Sequence, residues 1–150
     1  MHVTDMQAAA LRAFLVHDSE EAATLTRRLG GTDSPGYEYL ALAALSAAAK
    51  RCFQAGYTHA DLVRYIAALR LRRLADGEQY DFDPVTGENV LQSVLGQSVR
   101  PTGAPEERFR AVIALLDTFT ETGLPTGADV DGLLTEAREL ADQWLAEQGL

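Results

Sequence analysis

PGYEYLALAALSAAAKRCFQAG, residues 35–56, decides the fold. From Leu40 to Ala49 only Ser46 is polar, so a helix over this stretch has almost no wet side. A helix that is apolar around its whole circumference has to be enclosed by other elements. Its many alanines let those neighbours approach closely. Ser34 before Pro35 pairs an N-cap with a first-turn proline, and Gly56 supplies the stop. The stretch predicts the third helix of the chain, running through the middle of an all-α bundle.

Start and stop signals on either side bring the total to about seven helices. Thr4 with Gln7 has the spacing of a capping box and opens a first helix over about 5–16. Asp18 with Glu21 repeats that spacing and opens a short second helix, closed by Gly30-Gly31. Beyond the break at Gly56-Tyr57-Thr58, Thr58 with Asp61 caps a fourth helix that fades near Asp76-Gly77. Asp83-Pro84 begins a fifth that ends at Gly96, Pro105 a sixth that ends near Gly123, and Gly127 to Asp129 a seventh. In the last helix Val130, Leu133, Leu134, Ala137, Leu140, Ala141, Trp144 and Leu145 fall on one stripe, with Glu136, Glu139 and Asp142 on its wet side. In the sixth, Phe109, Val112, Ile113, Leu116 and Phe119 do the same. The expected assembly is a single domain: a body over 1–96, a Ser-, Pro- and Gly-rich hinge at 97–104, and a C-terminal helical pair over 105–150 whose apolar faces meet.

Composition agrees with one helical core. A chain of 150 residues closes one hydrophobic core and is short for two domains. Apolar residues at 47% and charged residues at 23% are globular values. Two isoleucines against a large load of alanine and leucine favour helix over strand. The lone Cys52 forms no internal disulfide, which fits a reducing, cytoplasmic setting, and beside Phe53 it reads as a small buried side chain. The first 16 residues carry Asp5 and Arg12 and no cleavable signal pattern, and no run reaches membrane-spanning length, so no membrane partner is expected. Twelve arginines to one lysine, with the alanine load, resemble the usage of a GC-rich bacterial genome.

Charge is distributed unevenly. The chain carries −9, with ten acids and three arginines in residues 101–150. An acidic surface disfavours general attraction to phosphate backbones or anionic membranes. Against it stands the segment from Ser46 to Ala75, where Lys50, Arg51, Arg64, Arg70, Arg72 and Arg73 face one acid, Asp61. On a helical wheel Asp61, Arg64, Ala68 and Arg72 share one arc and Leu62, Ile66 and Leu69 the opposite one. Arg73 projects among these three, and Arg70 lies between them and the Val63, Ala67, Leu71 and Leu74 side. Guanidinium groups in apolar surroundings are expected to be paired or to snorkel. These basic residues, with Thr58 and His59, are the candidate contacts for an anion or nucleic acid.

The stretch from Cys52 to Leu62 resembles a helix-turn-helix, the DNA-binding motif of many bacterial regulators. Cys52, Gly56, Tyr57 and Leu62 fit its skeleton, while Arg51 departs from it where the motif wants an apolar residue. The resemblance implies that Thr58, His59, Ala60 and Arg64 face bases, with Lys50 and Arg51 near phosphate.

Motifs of catalysis and cofactor binding are missing. Lys50 follows no glycine-rich phosphate loop, and no dinucleotide fingerprint occurs. His2, His17 and His59 are scattered without metal-ligand spacing, and Gly96-Gln-Ser98-Val-Arg100 lacks the second glycine of a nucleophile elbow. The acidic stretch from Asp76 to Asp83 lacks EF-hand order, and Asp83 reads as an N-cap. No cofactor and no metal are expected. Tyr37, Tyr39, Tyr65 and Phe53 are candidate walls of a small-ligand pocket.

Three stretches, Thr58 to Ile66, Asp83 to Leu91 and Leu133 to Asp142, resemble a family of small all-helical proteins of unassigned function from actinomycete bacteria. That resemblance implies a helical fold and carries no activity. The function expected is a non-enzymatic helical protein-interaction module whose partner is another protein or a second copy of itself. The alternatives are a DNA-binding regulator using the Gly56 turn and an acidic, immunity- or antitoxin-like protein that masks a basic partner.

Overall fold

The computed structural model describes residues 2–29, 35–53, 56–75, 82–96, 104–123 and 127–149, without the side chains of 35, 73–75, 120–123 and 127–128. They form seven α-helices and no strand: α1 (Asp5–Leu15), α2 (Ser19–Arg28), α3 (Pro35–Cys52), α4 (His59–Ala75), α5 (Pro84–Val94), α6 (Pro105–Gly123) and α7 (Gly127–Glu147). The expected signals at Gly30-Gly31, Ser34 and Asp76-Gly77 and the hinge at 97–103 lie outside the described residues.

Side-chain caps open the helices where they were expected. Thr4 Oγ1 accepts the Gln7 N–H at 3.1 Å while Gln7 Oε1 accepts the Thr4 N–H at 2.9 Å, a complete capping box. Asp18 accepts from Glu21 N at 3.2 Å, and Asp83 from Thr86 N at 3.3 Å with Pro84 in the first turn of α5. Thr58 and Asp61 exchange two bonds ahead of α4, Asp61 N–H to Thr58 Oγ1 at 3.2 Å and Thr58 N–H to Asp61 Oδ2 at 2.8 Å. α3 ends at Cys52, four residues short of Gly56; Phe53 bends away and Gly56 takes a left-handed φ of 98°.

The bundle is organised around α3. Leu40, Ala41, Ala43, Ala44, Leu45, Ala47, Ala48 and Ala49 are all buried, as is Ser46. Each buried leucine contributes about 1.5–3 kcal/mol of transfer free energy. Ser46 belongs in this apolar run because its hydroxyl donates to the Val94 carbonyl at 3.0 Å, satisfying an acceptor at the C-terminal end of α5.

α7 and α6 each pack on α3 more than on one another, which corrects the expectation that their apolar faces meet. The physical reason is that α3 offers apolar surface all round and so accepts a helix on every side. One core cluster runs from Val3 to Leu145. α1 joins it alongside α7, running the opposite way, and its start is tied down by polar contacts. Val3 N–H donates to Asp142 at 2.7 Å, and Arg138 reaches both the Val3 carbonyl at 2.9 Å and Asp5 at 2.7 Å.

α4 sits apart at the edge, resting mainly on α5. Gly87 makes this close approach: a methyl group there would come within 2.7 Å of the Phe82 ring and 3.2 Å of Ile66 Cδ1.

Candidate functional site

The peripheral place of α4 determines which of its faces meets water. Leu62, Ile66 and Leu69 are buried against the body, as the wheel requires. Ala60, Val63, Ala67 and Leu71 are exposed, Val63 at 36% and Leu71 at 68%. At 100° per residue these four fall within an arc of about 80° and extend over about 16 Å of helix. Arg64 borders the arc on one side and Arg70 on the other, with Arg72 farther round beside Asp61. α4 thus shows water an apolar stripe edged by guanidinium groups.

The sequence grouped Val63, Ala67 and Leu71 with Leu74 on one side of α4, apart from the Leu62, Ile66 and Leu69 side. The structure leaves the first three open because α4 has one principal neighbour, and a single helix covers a single face. The available signal was the presence of two apolar arcs on one helix, which a helix at the edge of a bundle cannot both bury.

The basic candidates do not converge on one pocket. Lys50 is exposed at the end of α3. Arg51 reaches across to Glu136 on α7 at 3.0 Å. Arg64 lies 3.7 Å from Asp61, one turn earlier. Arg70 is half-buried and Arg72 exposed, while the Arg73 side chain is outside the described residues. Thr58 is occupied as the cap of α4, and His59 Nδ1 accepts a hydrogen bond from the buried Gln92 amide on α5. That bond places the imidazole proton on Nε2 when His59 is neutral.

Asp61 has the clearest electrostatic role. The Thr58 backbone N–H and hydroxyl, with a smaller contribution from Arg64, hold its carboxyl below the ordinary range. A carboxyl that binds its proton less tightly when folded stabilises above its unfolded pKa, about 3.9, and loses that contribution as pH falls through the lower folded value. Acidification from about pH 4 down past the lowered folded value is therefore expected to fray the first turn of α4 before the core responds. Amide chemical shifts of residues 58–62 followed through the titration check this, and Asp61→Asn should remove the acid transition.

Cys52 corrects the sequence reading: it is exposed, because α3 has passed the last of its covering helices where Lys50, Arg51 and Cys52 follow one another. Partial desolvation still pushes its thiol pKa up, which favours the unreactive thiol over the thiolate.

The four aromatic residues expected to wall one pocket divide between the two ends of α3, about 24 Å apart along the helix. Near the start, Tyr37 meets Phe109 at 6.2 Å between ring centroids and Tyr39 meets Trp144 at 6.5 Å. Near the end, Phe53 packs edge-on against Tyr57, Tyr65 and Phe119, and Tyr65 stacks on Phe119 at 5.1 Å. Burial pushes the Tyr65 phenol pKa up, and its buried hydroxyl makes no hydrogen bond among the described residues. Removing an unsatisfied hydroxyl removes a desolvation penalty. Tyr65→Phe is accordingly expected to leave stability unchanged or raise it by up to about 1 kcal/mol in urea denaturation.

Two open clefts flank α6. One, of about 360 Å³, lies between α3, α5 and α6 and is lined by Glu38, Tyr39, Leu42 and Arg108 among others. The other, of about 370 Å³, lies at the α1–α2 corner, where His17 takes φ 61° and places Nδ1 3.5 Å from Asp117. Among the described residues no group of three His, Cys, Asp or Glu side chains could hold a metal, and no helix is long and apolar enough to cross a membrane.

Glu136 and Glu139 on α7 are exposed, as its stripe implied, and several acids of this helix also have partners on neighbouring elements. Asp131 holds Arg12 at 2.6 Å, Glu136 holds Arg51, and Asp142 receives the Val3 N–H. These carboxylates fasten α1 and the end of α3 to α7.

No protein-family model, curated protein or solved structure matches the chain.

Proposed function

We propose that the chain is a non-enzymatic, cytoplasmic helical interaction module that docks a protein partner on the outward face of α4. The observation that carries this reading is the exposure of Leu71 and Val63 on one stripe with Ala60 and Ala67. A single exposed leucine needs no explanation, but a stripe of apolar side chains three turns long on one helix marks a surface for contact. The alanines within it let a second helix approach closely.

The alternatives receive less support from the same geometry. For a DNA reader the outward face of α4 is apolar where base-reading side chains belong, His59 is engaged by Gln92, and a phosphate at Arg51 would meet Glu136. For an acidic mask over a basic partner, Asp131, Glu136 and Asp142 already have partners within the chain.

A photo-crosslinking residue in place of Leu71 tests the proposal in cells that make the protein. A discrete adduct, with another protein or with a second copy, that disappears in Val63→Asp supports it. Labelling at position 71 no greater than from exposed Glu139 on α7 overturns it.

A further inference from the structure

We infer that the occupant of the α4 stripe is an acidic amphipathic helix of another protein, one whose apolar stripe is bordered by carboxylates. The inference rests on the docking surface proposed above and adds the chemistry of the partner. Arg64 and Arg70 border the stripe on its two sides, and α4 as a whole carries four arginines to one acid, Asp61. A helix laid along the stripe places its own flanking side chains over those edges, as in helix-in-groove recognition. Carboxylates there are attracted, and ammonium groups are repelled.

A second copy of the chain fits less well, for two reasons. In an antiparallel α4–α4 pair centred on Ala67 the Arg64 edges of the two copies face each other, as do the Arg70 edges, so guanidinium groups meet guanidinium groups on both sides. The acidic helix that a second copy would offer instead, α7, has its apolar stripe buried in its own core and several of its carboxylates engaged. The stripe is also small for a stable dimer. About 16 Å of a helix about 10 Å wide falls well short of the roughly 800 Å² per partner typical of lasting interfaces, and suits one short helix held transiently.

Two fluorescent 18-residue peptides provide the probe. Both carry a leucine stripe at helical spacing; one flanks it with glutamates and the other with lysines. Fluorescence polarisation with the full chain is expected to show the glutamate peptide binding at least about tenfold more tightly than its lysine twin in 50 mM salt, with the preference shrinking several-fold at 500 mM as exposed charges are screened. Leu71→Asp, at an exposed position, should abolish binding without altering the thermal melt, and Arg64→Glu should erase most of the preference between the twins.

Equal binding of the twins, insensitive to salt but lost in Leu71→Asp, overturns the acidic partner and leaves the docking surface standing. Sedimentation showing a dimer dispersed by Leu71→Asp does the same, since a second copy is then the occupant. Binding of neither peptide, or salt-dependent retention of duplex DNA lost in Arg64→Glu, also overturns the inference. The crosslinking at position 71 judges the docking surface separately.

Discussion

Gly87→Val is expected to lower the stability of the chain by about 3 kcal/mol, at the upper end of the usual cost of overpacking. Phe82 and Ile66 close over Gly87 so tightly that even a methyl group would approach the Phe82 ring to 2.7 Å. Phe82 is itself buried. A β-branched side chain brings more volume into the same space and gains little helix propensity over glycine. Because α4 rests mainly on α5, the strain falls on the one seat that holds α4. Equilibrium denaturation should register the loss, and hydrogen exchange should rise first in α4 while α3 stays protected. In Gly87→Val with Phe82→Leu, the smaller partner should recover a large part of the loss. Recovery well beyond the sum of the single effects would identify the Phe82 contact as its source. A variant as stable as the parent would show that α4 is seated some other way.

Leu45→Ala is expected to cost about 4 kcal/mol, toward the upper end of the range for buried leucines. Leu45 is fully buried in α3, with α1, α5, α6 and α7 all packed on that helix. Helices held on several sides cannot all move inward, so the space left by the missing side chain persists, and residual cavity volume is what raises the cost. For a domain of this size that corresponds to a fall in melting temperature on the order of 10 °C. The control is Leu71→Ala, the same substitution on the exposed face of α4, which should change stability by less than about 0.5 kcal/mol. If the two variants lose similar stability, α3 is not the centre of the bundle.

The contrast between these two leucines shows what could be read from residues alone. Seven helices, the capping pairs at Thr4 and Gln7, Thr58 and Asp61, and Asp83 and Thr86, and the central place of α3 follow from local chemistry. A hydroxyl or carboxylate three residues ahead of a helical N–H forms its bond whatever the rest of the chain does. A helix with no polar side has only one kind of place to go.

Long-range arrangement was not legible in the same way. Arg51 and Glu136 are 85 residues apart, and Arg12 and Asp131 are 119 apart; nothing in their spacing announces a pair. Glu136 and Asp142, read correctly as lying outside the apolar stripe of α7, also hold Arg51 and the Val3 N–H because the end of α3 and the start of α1 lie beside them. The two C-terminal helices, expected to meet, share α3 as their main neighbour because that helix presents apolar surface to both. Cys52, expected inside, lies outside because α3 outruns its cover by a few residues.

Sequence by itself determined that this chain is helical, where its helices begin, and which one lies in the middle, since those outcomes depend on neighbours a few residues away and on the absence of any polar face. Only the tertiary structure decided whether the second apolar arc of α4 is covered as well. That depends on how many helices reach that edge of the bundle. α5 does, with Phe119 of α6 against Tyr65, and neither covers the outer arc, so Leu62, Ile66 and Leu69 are buried, and Val63 and Leu71 remain in water between arginines.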